Sequence, residues 1–339
     1  MTSDLSKYTI GWITALHIEL AAATVMLDEE HPGLPPDEQD PTLYTLGRIG
    51  GHNVVVACLP GGQTGPSAAT AVATKMLNKF RSIKVGFMVG IGGGVPNQRA
   101  DIRLGDVVVS FPEMSHGGVV QYDFGKAKAD GHFRRTGYLN SPPKLLLNVV
   151  NQARSNYELG RSAHASHLAA FGPKTALKQF SRSSAGQDML FQPTYSHAGG
   201  YTCKNCRSEM LIERSVRDCE NSSDGGQPVF IHFGTIASGS KVIKDAKTRD
   251  EIAEALGGQI LCFEMEAAGL MNDFSCLIVR GICDYADSHK QDQWQRYAAA
   301  TAAAYAKELI LLIPGNVAAL SSLVSRCADF GKSPVLSGQ

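Results

Sequence analysis

The chain has 339 residues with 43% apolar and 19% charged side chains, enough to bury a substantial core in one large α/β domain or two smaller ones. Lys+Arg and Asp+Glu are equal at 32 each, so nothing points to a polyanionic partner such as nucleic acid. No apolar run reaches the roughly 18–20 residues that span a bilayer, the first residues lack the pattern of a secretory signal, and the 8 cysteines lie mostly in strand-like surroundings, as expected of reduced core thiols in a cytoplasmic protein.

In chain order, Tyr8–Ala15 is a β-prone run and Ile18–Leu27 a helix, with Glu19 at the junction. Taken alone, Glu19 reads as an exposed acid in a first helical turn. His31–Thr42 is rich in Pro, Asp and Glu and reads as a surface loop, and Leu43–Leu59 alternates like a hairpin about Gly50–Asn53. A glycine-rich turn at 61–65 leads into a helix over Pro66–Phe80. Ile83–Val89 is a buried strand ending at Gly90-Ile-Gly-Gly-Gly-Val95. That cluster misses the dinucleotide fingerprint, because Val95 replaces its last glycine, and no P-loop lysine follows. It reads as a tight turn packed on a neighbouring strand, or as bare backbone that a small ligand can approach. Leu104–Ser110 is the next strand, and Glu113–Lys126 a loop whose His116 is either solvated or near a substrate.

Residues 127–227 interrupt the α/β rhythm like an insertion, with helices expected at Pro142–Gln152 and Ser162–Ala170 and a polar, Ser- and Gly-rich section from Gly172 onward. It holds His197, the pair Cys203 and Cys206, and Cys219. A C-x-x-C of this kind can be a structural metal clip, a reactive or disulfide pair, or plain thiols; the second paired ligand motif of a strong zinc signal is missing. Val229–Gly239 resumes the strands. Gln259–Cys262 reads as a strand, Glu266–Asn272 as a helix, and Cys276–Ile282 as a strand buried on both faces. Glu264 and Glu266 follow the first of these strands and Asp284 the second, where an open parallel sheet binds ligands. Either glutamate singly also reads as an acid favouring a helix N-terminus. An Ala-rich helix over Tyr297–Leu312 ends at Pro314-Gly315. Residues 316–339 read as a short helix and tail.

The segments T-A-L-H-I-E (14–19), L-G-D-V-V (104–108), F-E-M-E-A-A (263–268), R-G-I-C-D-Y-A-D (280–287) and Ser288–Leu309 resemble the nucleoside phosphorylase/nucleosidase family, in a fungal branch. Its members cleave the N-glycosidic bond of nucleosides, and the resemblance spans roughly Tyr8–Gly125 and Val229–Ile313. It implies one catalytic domain over 1–315, a three-layer α/β/α fold with a mixed, largely parallel central sheet, a homo-oligomer with a dimer favoured, and no cofactor. Glu19 is thereby implied as the base that deprotonates the attacking water. Glu266 would accept hydrogen bonds from the ribose hydroxyls, and Asp284, its pKa raised by apolar surroundings, would protonate the departing purine. Ile91, Gly92 and Gly93 would cradle the ribose, with Glu264, Met265 and Cys283 also against substrate. Val242 and Ile243 would form the base platform, and Trp294 would close the pocket.

Phosphorolytic relatives carry an arginine where this chain has Met88, another near Ile18, and a serine where it has Ile91. A hollow with no fixed cation is expected, and with it hydrolysis of adenosine, inosine or guanosine to free purine and ribose; arginines lining it beside Met88 would argue against that reading. Two alternatives stay open. One is a phosphorylase that binds phosphate through the amides of Gly92–Gly94. The other is a nucleoside-sensing module, since related fungal domains sit at the front of large signalling receptors.

Overall fold

A computed structural model describes residues 4–315 apart from 98, 114, 130–132, 173–174, 216, 218–228 and 291. The chain begins with β1 (Tyr8–Thr14), α1 (His17–Met26), a short β2 (Glu29–Glu30), the hairpin β3 (Tyr44–Ile49) and β4 (His52–Cys58), and α2 (Pro66–Lys79). It continues with β5 (Val85–Gly94), β6 (Val107–Ser110), β7 (Val119–Gln121) and an exposed pair, β8 (Gly125–Ala127) and β9 (Phe133–Arg135). Helices α3 (Lys144–Glu158) and α4 (His164–Leu168) precede a stretch of short 3-10 turns. Then come β10 (Ile231–Ser238), α5 (Ala246–Ala255), β11 (Ile260–Glu264), β12 (Cys276–Asp284) and α6 (Gln295–Leu311).

The main sheet is ten-stranded, in the order β11-β10-β6-β12-β5-β1-β4-β3-β2 with β7 beside β10. Its centre is parallel, β4-β1-β5-β12, while β6 runs antiparallel to β12 and β3 to β4. β11 pairs with both β10 and β5, so one end of the sheet curls until β5, β12, β6, β10 and β11 form a closed ring. Helices cover both faces: α1, α3 and α6 share one apolar cluster with the sheet, and α2 packs into a second. The architecture is the expected mixed three-layer α/β/α.

Sequence explains most of these elements. β12 is buried at every position, as its unbroken apolar reading requires. α2 opens with Gly65 at φ +97°, followed by Pro66, whose fixed φ suits a first helical position. The Ala-rich α6 is nearly all buried, because small side chains let it lie directly on β12 and β5.

Four expectations change. The glycine cluster is not a turn: β5 runs on to Gly94, and Gly93 and Gly94 pair with β11 while Gly90–Gly93 pair with β12. Three strands converge there, and a side chain at Gly92 or Gly93 would press on the Phe263 carbonyl or on Asp284. Val119–Gln121, read as loop, is a strand hydrogen-bonded beside β10. The helix expected over Glu266–Asn272 shrinks to a 3-10 turn, Ala267–Gly269, because a Cβ at Gly269 would overlap the Pro66 carbonyl and the chain must pass α2 closely. Finally, the 127–227 stretch is not uniform, since Leu146, Val149, Val150 and Ala153 of α3 belong to the main core. The short helix and tail expected over 316–339 lie outside the described residues.

The contact between α6 and β12 sets a steric limit. A Cβ on Gly281 would overlap the carbonyl oxygen of Ala298, and backbone cannot swing aside as a side-chain tip can. Gly281→Ala should therefore lose roughly 3 kcal/mol of folding stability, the upper end of ordinary overpacking costs, read as a lower urea midpoint at unchanged slope.

Candidate functional site

The carboxyl ends of β1, β5, β10, β11 and β12 open onto one cleft with a cavity volume of about 230 Å³. Glu19, Glu266 and Asp284, far apart in sequence, all line it. So do Ile91, Gly92, Gly93, Val242, Ile243, Glu264, Met265 and Cys283.

Glu19 stands at the third position of α1. Its carboxylate accepts hydrogen bonds from the amides of Ala15 (2.7 Å) and Leu16 (2.9 Å) through Oε2, and from Ile91 N (2.8 Å) through Oε1. It therefore caps α1 and joins it to β5. Burial pushes its carboxyl above the ordinary range, against the pull of the Arg280 guanidinium and these amides.

Arg280, midway along β12 and 1% exposed, is the residue the sequence reading overlooked. Its Nη2 is paired with the carboxylates of Glu264 and, at 3.1 Å, Glu266, and its Nη1 donates to the carbonyl of Ile91 at 3.3 Å. A side chain at Gly90 would collide with both Glu19 and Arg280. The expected cation-free hollow is thus corrected: Arg280 lines it, with Lys241 and Lys290. Its strand reads as apolar throughout, and the charge was passed over for that reason. A lone arginine in such a run is itself a signal, because a buried guanidinium requires acidic partners nearby.

Glu264 and Glu266 divide the work. Glu264 accepts from the amides of Glu266 (3.1 Å) and Ala267 (3.0 Å) as well as from Arg280. Its carboxylate is fully engaged in holding the 3-10 turn and the arginine, so it supports the site from behind. Glu266 accepts from Gly65 N at 3.2 Å and from Arg280. Burial raises its carboxyl to about 7, with Arg280 opposing the rise and Glu264 and Glu19 adding to it.

Asp284 closes β12. Oδ1 accepts from Ala286 N at 2.8 Å, and Oδ2 lies 3.1 Å from Cys283 Sγ and 2.7 Å from Lys290 Nζ. The purely apolar surroundings expected for it are corrected by that ammonium. Asp284 in turn holds the Lys290 pKa above the usual lysine range although burial works the other way.

Trp294 is placed elsewhere. It is buried against Ala185, Cys283, Tyr297 and Ala298, with Arg182 stacked over its ring at 4.4 Å, and the next residue, Gln295, faces the cavity. The aromatic in the cavity is Phe263, edge-on to Tyr122 at 5.5 Å. It lay unnoticed beside the two glutamates that drew attention. Val242 is 49% exposed and Ile243 9%, so the platform is half open. His116 reaches the Leu256 carbonyl at 3.1 Å, outside the cavity. His197, Cys203 and Cys206 converge at a separate place, their ligand atoms within 4.8 Å of one another, while Cys219 lies outside the described residues.

The chain is similar to known proteins. The profile of the phosphorylase superfamily matches residues 9–311. A nucleotide-binding leucine-rich repeat (NLR)-like protein of Hyaloscypha variabilis is 42% identical over 98% of the chain, which covers 32% of that protein. The ATP nucleosidase Cap17 of Escherichia coli is 25% identical over 86% of the chain and 48% of its own length. The chain therefore spans about a third and about half of these relatives. A solved structure of a putative 5′-methylthioadenosine/S-adenosylhomocysteine nucleosidase from Borrelia burgdorferi, bound to adenine, superposes with TM-score 0.58 at 16% identity, covering 90% of this chain and all of that one, and speaks for the fold alone. The protein belongs to the phosphorylase superfamily.

Proposed function

We propose that the chain is an N-glycosyl hydrolase that splits a purine nucleoside into free base and ribose, with water as nucleophile. The observation that carries this reading is that the buried carboxylate of Glu19 and Asp284 line the same cavity, while Arg280 of β12 is already met by glutamates. Phosphate as nucleophile needs cationic charge to spare, and the three carboxylates around Arg280 leave that guanidinium none. Water needs a base, and burial makes Glu19 a stronger one.

Breaking the bond leaves cationic character on the sugar and electron density on the base. Glu19 takes the proton from water, its orientation fixed by the Ala15, Leu16 and Ile91 amides. Glu266 accepts from the vicinal ribose hydroxyls and faces the developing positive charge. Asp284 and Lys290 form a proton-bearing pair at the end of β12, from which the leaving purine nitrogen is protonated. Phe263, Met265 and Ile243 supply the apolar walls. A homodimer is part of the same proposal.

A second reading concerns the substrate's far end. Lys241 lines the cavity next to Val242 and gives a phosphate on the sugar a cation, in keeping with the ATP nucleosidase among the relatives. The NLR-like relative of greater length suits a module whose turnover, or whose binding of nucleoside, serves signalling.

Incubation of adenosine, inosine, guanosine and ATP with and without phosphate decides the reaction. Free ribose or ribose phosphate released without added phosphate is the expected result; ribose 1-phosphate formed only when phosphate is present overturns it, and tight binding with no product over hours assigns the chain to sensing. Glu19→Gln and Asp284→Asn should each lower kcat by about 10²–10⁴-fold, with substrate still bound in Asp284→Asn, whereas Glu266→Gln should impair kcat and KM together. In the pH profile, Glu19 and Glu266 must be ionised and both lie above the ordinary 4.5. Activity should accordingly fall as pH drops from about 7 toward about 5, and a flat profile over that window contradicts the assignment.

A further inference from the structure

We propose that His197, Cys203 and Cys206 bind a zinc ion that clamps the irregular 185–215 segment onto the loop following Asp284. One ligand atom from each residue lies within 4.8 Å of the others, with Cys203 buried and the other two half-buried. Around a tetrahedral zinc, with Zn–S near 2.3 Å and Zn–N near 2.0–2.1 Å, such atoms stand about 3.5–3.8 Å apart. Closing the set takes movements of about 1 Å, within a loop.

The local backbone is made for this. Residues 203–205 form a single 3-10 turn, with Cys206 N donating to the Cys203 carbonyl at 3.0 Å, so the two cysteines bracket one tight turn. Both ring nitrogens of His197 meet backbone groups. Its Nε2 faces the Thr202 carbonyl at 3.3 Å and its Nδ1 faces Gly199 N at 3.0 Å. With zinc on Nδ1, the Gly199 amide yields that position and Nε2–H keeps its bond to Thr202, the usual outer partner of a metal-bound histidine. Both cysteines bind as thiolates, releasing their protons. Three ligands come from these residues, and water or a further side chain takes the remaining tetrahedral position.

What the clamp would hold is visible around it. His197 N donates to Ser288 Oγ at 3.0 Å, and the His197 ring meets that of His289 edge-on at 5.5 Å. His289 stacks on Phe191 at 4.1 Å, and Tyr195 completes a three-ring cluster, 5.4 Å from His289 and 5.7 Å from Phe191. Neither of its ring nitrogens has a hydrogen-bond partner among the described residues, although the residue is 93% buried by its 7% exposure. Its amide donates to Asp287 Oδ1 at 2.9 Å and its Nδ1 lies 3.5 Å from Asp287 Oδ2, so the ring cluster and this one carboxylate fix its place together. One residue further on, Lys290 reaches Asp284. The ion would thus be an anchor several residues from the cavity, with no part in the reaction.

The test uses the whole chain, dialysed against metal-free buffer and analysed by plasma mass spectrometry. About one zinc per chain is expected, lost in Cys203→Ser/Cys206→Ser and in His197→Ala. Cobalt(II) added to the zinc-stripped wild type should give tetrahedral d–d bands and thiolate charge-transfer absorption, a readout that stands even where a variant fails to fold. Chelation should also make the 185–215 segment cleavable by protease. No bound zinc together with no cobalt spectrum overturns the proposal. So does zinc retained in full by the double cysteine variant, or a Cys203–Cys206 disulfide in protein isolated under reducing conditions.

Discussion

The ion cluster around Arg280 is what the rest of the site depends on. Taking a guanidinium and three carboxylates out of water costs several kcal/mol per ion, and such a cluster persists only where every charge is met. Here nearly all are. Glu264 answers Arg280 and the 3-10 turn, Glu266 answers Arg280 and Gly65, and Glu19 answers three main-chain amides. Only Arg280 Nε has no partner among the described residues. Because the carboxylates outnumber the arginine, burial drives Glu19 and Glu266 upward in pKa, and a surplus of proton affinity collects on the cavity wall. A structural core of charge and a supply of basic groups are then one arrangement.

The same cluster accounts for the glycines of β5. Gly90, Gly92 and Gly93 leave the room that Glu19, Arg280, the Phe263 carbonyl and Asp284 occupy. Strands β11 and β12 can both pair with β5 only because no side chains project there. The closed end of the sheet and the floor of the cavity are built by one run of bare backbone, and no change in either leaves the other untouched.

This explains which parts of the molecule were legible in the sequence. β1, α1, the β3–β4 hairpin, α2, β12 and α6 declare themselves through periodicity and glycine punctuation, and Glu19, Glu266 and Asp284 through their places at strand ends. Glu19 lies in the first turn of α1 as expected, but it is buried rather than exposed, and the same side chain caps the helix and lines the cavity. The glycine run misled because glycine ordinarily breaks strands, and here it permits a crowded one. Arg280 and Lys290 were missed because periodicity classes residues by polarity and does not ask where a buried charge finds its partner. Trp294 drew attention by size and position, yet helix phase turns it into the packing behind Cys283 and presents Gln295 instead.

Support for Asp284 comes from the least regular part of the fold. Tyr285, next in sequence, donates to Asp188 at 2.6 Å, and Asp188 also receives Arg214 at 2.7 Å. Arg217 of the same segment reaches Asp106 at the base of β6, where His232 joins it at 2.9 Å. The described residues of the 185–217 stretch, poor in strands and helices, are therefore tied by charged pairs to both the sheet and the loop that carries Lys290. A loop fixed by ion pairs and ring stacking, with little apolar burial of its own, opens more readily than the surrounding core. The sheet end of Asp284 is held as firmly as β12 itself. Its Lys290 partner is held only as firmly as this segment, so the carboxylate's charge environment and the order of the insertion rise and fall together.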